Sequence, residues 1–117
     1  MSAAPVRFTS GGRGYDTRNC VGVTKEAAME KLGVIGGMGA EATSYYYDQV
    51  VRHTAATCDQ EHIDMVVLSK STMPDRTLAI KTGEHAELLA TMKECAQALE
   101  ALGCAHIAIP CNTAHYF

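Results

Sequence analysis

Three short segments of this 117-residue chain hold residue types that could do chemistry. The first is Pro110-Cys111-Asn112-Thr113-Ala114-His115. A cysteine directly after an apolar run, followed by polar Asn and Thr, has the makings of a reactive thiol. Backbone amides beyond a strand end, or a helix N-terminus, would favour its thiolate. A thiolate can serve as a nucleophile or a general base. The bland alternative is a small buried hydrophobe, a common fate of free cysteine. The second segment is Met73-Pro74-Asp75-Arg76-Thr77. Arginine presents a planar fork of donors that matches a carboxylate bidentately, but an Asp-Arg pair on a solvated turn would look the same. The third is Gly36-Gly37-Met38-Gly39-Ala40-Glu41-Ala42, where Gly37, Gly39 and Ala42 have the spacing of a dinucleotide fingerprint. That fingerprint also needs an acid at the end of the following strand, and here that strand ends Leu68-Ser69-Lys70. A small carboxylate ligand or a plain tight turn suits the glycines better.

These segments need elements to position them. Leu32 to Ile35 and Ile63 to Leu68 are short apolar runs, as is His106 to Ile109, and each reads as a buried strand. Ala40 to Thr57 suits a helix, with Tyr47, Val50, Val51 and Thr54 spaced for one face. Glu84 to Leu102 carries the clearest helical stripe, formed by Leu88, Leu89, Met92, Cys95, Ala96, Leu99 and Leu102. Gly103 is its stop. The order is β-α-β-α-β. Helix-length crossovers between strands predict a parallel sheet with right-handed connections and helices on its faces. Ligands of such α/β sheets bind beyond the C-terminal strand ends, and all three segments fall there.

Residues 1–28 read as a disordered extension without hydrophobic periodicity, apart from a short helical turn at Lys25 to Met29. Met29 is a candidate natural start, so residues 29–117 form one α/β domain. Hydrophobic residues make up 47% of the chain and charged residues 20%, an ordinary globular balance. A net charge of -3 and a pI near 5.9 give no electrostatic reason to expect nucleic acid or an anionic membrane as partner. No apolar run approaches the roughly 20 residues of a membrane helix, and the N-terminus lacks a secretory core. A cytoplasmic protein is expected. The cysteines are Cys20, Cys58, Cys95, Cys104 and Cys111. An odd number without a signal peptide predicts free thiols. Cys58 and His62 are four apart, as are Cys111 and His115, but neither pair has the spacing of a zinc site, and no metal is expected.

Together the segments resemble the aspartate/glutamate racemase family, closest to its aspartate racemase branch. The likeness runs from about Leu32 to Phe117, through GVIGGMG at 33–39, DQEH at 59–62, MPDRT at 73–77 and IPCNTAHYF at 109–117. The resemblance implies inversion of the α-carbon of a small acidic amino acid, aspartate or glutamate, without pyridoxal phosphate, other cofactor or metal. One cysteine thiolate removes the α-proton and a second thiol returns one to the opposite face. The first cysteine corresponds to Cys111. Asn112 and Thr113 correspond to positions that bind the substrate carboxylate and amino group. Asp75, Arg76 and Thr77 correspond to the loop that holds a carboxylate, and Met38 and Gly39 to the first loop lining the pocket. Asp75 and His115 are expected to do no more than orient or tune a partner.

The resemblance also implies a second, pseudo-symmetric α/β half bearing the other cysteine, and a homodimeric assembly. Nothing within residues 1–117 matches that second motif, so the chain is expected to be the N-terminal half, truncated six residues past Cys111. Its alternatives are a one-cysteine decarboxylase or isomerase of the same superfamily, and an inactive half-domain that binds a dicarboxylate or a partner protein. A nucleotide-binding oxidoreductase is the remaining possibility.

Overall fold

The computed structural model describes residues 30–117. The expected extension, including the turn at Lys25 to Met29, lies outside them. Strand β1 (Leu32–Gly36) is the centre of a three-stranded parallel sheet. It is flanked by β2 (Met65–Ser69) and β3 (His106–Ala108) in the order β2-β1-β3. Leu32 pairs with Met65 on one side and His106 on the other. The central strand is the most buried, as expected for a parallel strand covered on both faces.

Two glycines of β1 set how closely the helices approach. A Cβ on Gly33 would lie 3.1 Å from Leu99 and Cys104 at the end of helix α3 (Ala86–Ala101). A Cβ on Gly36 would lie 2.4 Å from Thr43 on helix α1 (Ala40–His53). The two helices therefore cover opposite faces, since successive strand residues point to opposite sides. On the α3 face Ile35, Leu88, Cys95, Leu99 and Cys104 form the core, and Val66 and Leu68 pack against it.

Helix α1 carries Glu41 in its first turn and Arg52 and His53 in its last, matching the helix dipole. It stops at Thr54, whose N–H and hydroxyl both donate to the Val50 carbonyl at 3.1 and 2.6 Å. Helix α3 ends in a Schellman motif. Gly103, at φ 84°, donates to the Glu100 carbonyl and Cys104 donates to that of Leu99. Lys31 Nζ donates to the Leu102 carbonyl at 2.9 Å and occupies a further free acceptor there.

The fold class stands, with corrections to its parts. A helix, α2 (Arg76–Thr82), lies where a polar loop was expected, so the order is β-α-β-α-α-β. Asp75 caps it by accepting the Leu78 N–H at 3.0 Å, and Gly83 ends it at φ 74°. Helix α1 ends four residues before Thr57 because the backbone turns extended at Thr54, and a 3-10 turn at Asp59–Glu61 follows later. Strand β2 starts at Met65 rather than Ile63, and β3 stops one residue short of Ile109. On α3, Leu88, Cys95 and Leu99 are buried as expected, while Leu89 and Leu102 face solvent. Cys58 is fully buried and disulfide-bonded, contrary to the expectation of free thiols throughout. Cys95, Cys104 and Cys111 are free. Among the described residues no helix is long and apolar enough to cross a membrane.

Candidate active site

The loops after β1, β2 and β3 meet at one edge of the sheet. Lys70, just past β2, donates its N–H to the Gly36 carbonyl at 3.0 Å, and the Met38, Met73 and Ala114 side chains share one buried cluster with Cys111 packed against it. The convergence expected from the strand order is present.

The glycine loop is closed on itself. The Thr43 hydroxyl accepts the Gly37 N–H at 2.8 Å and donates to the Gly39 carbonyl at 3.0 Å. Gly37 sits at φ 90°, and a Cβ there would lie 2.5 Å from the Lys70 backbone. Glycine is required here because two strand-end loops touch. The Gly37 amide is occupied and cannot cradle an anion, which removes the main physical support for a dinucleotide at this turn. Met38 is buried and forms part of the floor, and Gly39 is exposed at the start of α1.

Cys111 follows β3 and is half-buried. Its N–H donates to the Ile109 carbonyl at 2.8 Å. The sulfur lies 3.4 Å from the Thr113 hydroxyl. Burial alone pushes the thiol pKa up. The Thr113 hydroxyl, the Ala114 amide and the Arg76 guanidinium together outweigh it, so the thiol titrates below its ordinary range. Thr113 and Ala114 belong to a 3-10 turn, Thr113–Tyr116, that starts at Asn112. This turn supplies the amide that faces the sulfur. Asn112 and Thr113 are exposed at the mouth of the site.

Arg76 is the first residue of α2, which aims it across the edge toward Cys111. Its Nη1 donates to the Pro74 carbonyl at 3.3 Å, whereas its Nε is buried with no partner. The expected Asp-Arg pair is absent. Asp75 is engaged as the helix cap, and among the described residues no carboxylate is ion-paired with Arg76. Thr77 is exposed on the first turn of α2. The structure thus sets the Thr113 hydroxyl beside the Cys111 sulfur, brings Arg76 near enough for its charge to lower the thiol pKa, leaves Asn112 and Thr77 exposed, and gives Asp75 and Met38 structural contacts.

One contributor was not singled out from the sequence: the Ala114 amide. Its signal was available in principle, because Asn112-Thr113 after a strand favours a turn whose first amides point back. Among the described residues no group of three metal-ligating side chains occurs.

A family model described as Asp/Glu/Hydantoin racemase matches residues 35–117. The broad specificity amino-acid racemase RacX of Bacillus subtilis (strain 168) is 31% identical over 90 residues, which cover 74% of this chain and 38% of that protein. The solved structure of Picrophilus torridus aspartate racemase matches with a TM-score of 0.68 at 32% identity, over 74% of this chain and 37% of the other. The chain therefore spans less than half the length of either relative.

Proposed function

The chain belongs to the Asp/Glu/hydantoin racemase family, and on that premise we propose that it supplies one catalytic half of a cofactor-independent racemase acting on a small acidic amino acid, with Cys111 as the base. The observation that carries this reading is the unpartnered Arg76 Nε beside a thiol held below its ordinary pKa. A buried N–H without a partner costs roughly 1–3 kcal/mol. A substrate carboxylate lying across the guanidinium would satisfy it bidentately. That placement would bring the α-carbon toward Cys111.

In the proposed step the Cys111 thiolate takes the α-proton, and the C–H electron pair remains on the α-carbon as a carbanion delocalised into its carboxylate. Positive charge from Arg76 stabilises that developing charge in a half-buried site. Thr113 and the Ala114 amide hold the sulfur before the step, and the exposed Asn112 and Thr77 are assigned to the amino group and the second carboxylate. Inversion needs a proton from the opposite face. Cys95 and Cys104 are buried in the core and Cys58 is disulfide-bonded, so this reading assigns the second acid to a group outside residues 30–117.

The test follows α-proton exchange in heavy water by NMR, with L- and D-aspartate and L- and D-glutamate taken separately, for the chain and for Cys111→Ala. Exchange of one enantiomer without inversion, lost in the variant, is the expected result. Racemisation of both enantiomers would identify a second base acting with this chain. Exchange that survives in Cys111→Ala would remove Cys111 as the base, and no exchange with any of the four would favour a half-domain that only binds a dicarboxylate.

A further inference from the structure

The 3-10 turn that aims Thr113 and Ala114 at the sulfur is held to the rest of the protein by a contact the mechanism above does not use. Its own backbone bonds are short-range: His115 N–H to the Asn112 carbonyl at 3.2 Å and Phe117 N–H to that of Ala114 at 3.3 Å. The His115 imidazole reaches back across six residues, with Nε2 2.8 Å from the Ile109 carbonyl. A carbonyl oxygen can only accept, so Nε2 carries the proton. The same carbonyl accepts the Cys111 N–H at 2.8 Å. One strand-end acceptor therefore fixes both the cysteine and the turn that solvates its sulfur.

We propose that His115 is a positioning residue for Cys111: its Nε2–H, donated to the Ile109 carbonyl, clamps the 3-10 turn to the strand end and keeps the Thr113 hydroxyl and the Ala114 amide directed at the sulfur. The ring acts through the carbonyl and exchanges no proton in the reaction. Both the neutral ring with Nε2 protonated and the imidazolium carry this N–H. Gln places an amide nitrogen at nearly the reach of imidazole Nε2 and can make the same bond, whereas Asn is too short. Ala114 burial and the Phe117 ring, 5.4 Å from that of His85, also anchor the turn. The effect of losing the clamp is accordingly modest.

The inference rests on Cys111 being the working thiol, but its test needs no amino acid and stands apart from racemisation. The full chain is alkylated with iodoacetamide across pH, and modification of Cys111 is followed by peptide mass spectrometry. His115→Ala is expected to slow alkylation at neutral pH about fivefold, in line with one modest hydrogen bond, and to move the inflection to higher pH. His115→Gln is expected to keep the parent rate and inflection, and His115→Asn to behave as the alanine variant does. In a Thr113→Val background His115→Ala should add less than it does in the parent, because part of its effect passes through that hydroxyl. Circular dichroism checks folding, and should the alanine variant unfold, the comparison of Gln with Asn carries the result. A parent-like rate in both His115→Ala and His115→Asn overturns the proposal. So does a Gln variant as slow as Asn, which would mean that the ring itself is needed.

Discussion

At Cys111 two opposed effects meet on one atom. Partial burial favours the neutral thiol, while the Thr113 hydroxyl, the Ala114 amide and the Arg76 guanidinium favour the thiolate and prevail. The sign follows directly. A depressed folded pKa means that thiolate stabilisation is present above the unfolded thiol pKa and is lost as pH falls through the folded one. Replacing Arg76 with Met removes the charge but keeps much of the bulk, so burial meets weaker opposition. The alkylation inflection of Cys111 is expected to move to higher pH in Arg76→Met, with a slower rate at neutral pH. An inflection at the parent position would show that the guanidinium does not act on the sulfur. The residue types at this site were legible in the sequence, because a cysteine past an apolar run and an arginine in a polar segment are plain to see. Which groups touch was not legible, since Arg76 and Cys111 are 35 positions apart in the chain and only strand order brings them to one edge.

The element that joins them, α2, was hidden by its length. Seven residues give too few turns for a hydrophobic period to show, and Pro74 beside Asp75 reads equally well as a turn. Its boundary signals were present: Asp75 as N-cap before Arg76, and Gly83 as a left-handed stop. The longer elements were legible because apolar runs flanked by glycine, and the α3 stripe, bear the periods of strand and helix. Even so, Leu89 and Leu102 matched the stripe without reaching the core, since a stripe seven residues strong is wider than the face that α3 buries against the sheet. The dual reading of Asp75, substrate ligand or helix cap, can be separated. Asp75→Ala should cost about 1 kcal/mol of stability, lowering Tm by roughly 4–8 °C for a domain of this size. Asp75→Asn should melt close to the parent because Asn also caps. If both variants melt with the parent, the cap is not contributing. If Asn keeps the Tm but loses exchange at the α-carbon, the carboxylate acts on the substrate.

At the scale of the molecule, the order β2-β1-β3 explains why the site lies at one edge and why β1 is so well buried. It also explains what is left open. Parallel strands are ordinarily covered on both faces, yet among the described residues β3 is an edge strand and the least buried of the three. Ile107 pairs with Gly33, which places it on the α3 face, and it is 41% exposed. Leu102, at the end of α3 and four residues before β3, is 53% exposed. An unpaired strand edge beside exposed aliphatic side chains is a template for association with another chain. The 117-residue chain is therefore expected to self-associate with rising concentration in sedimentation velocity, and Ile107→Lys to shift it toward monomer. Lysine suits this test because it is a natural guard on strand edges and its stem can still lie along the sheet while its charge stays in water. Ile107 lies on the face covered by α3, whereas Cys111 follows the strand's far end, so alkylation of Cys111 should match the parent. A variant that associates as the parent does would place the contact elsewhere, on another exposed apolar side chain; were that Tyr116 or Leu78, which flank the site in sequence, association would compete with substrate.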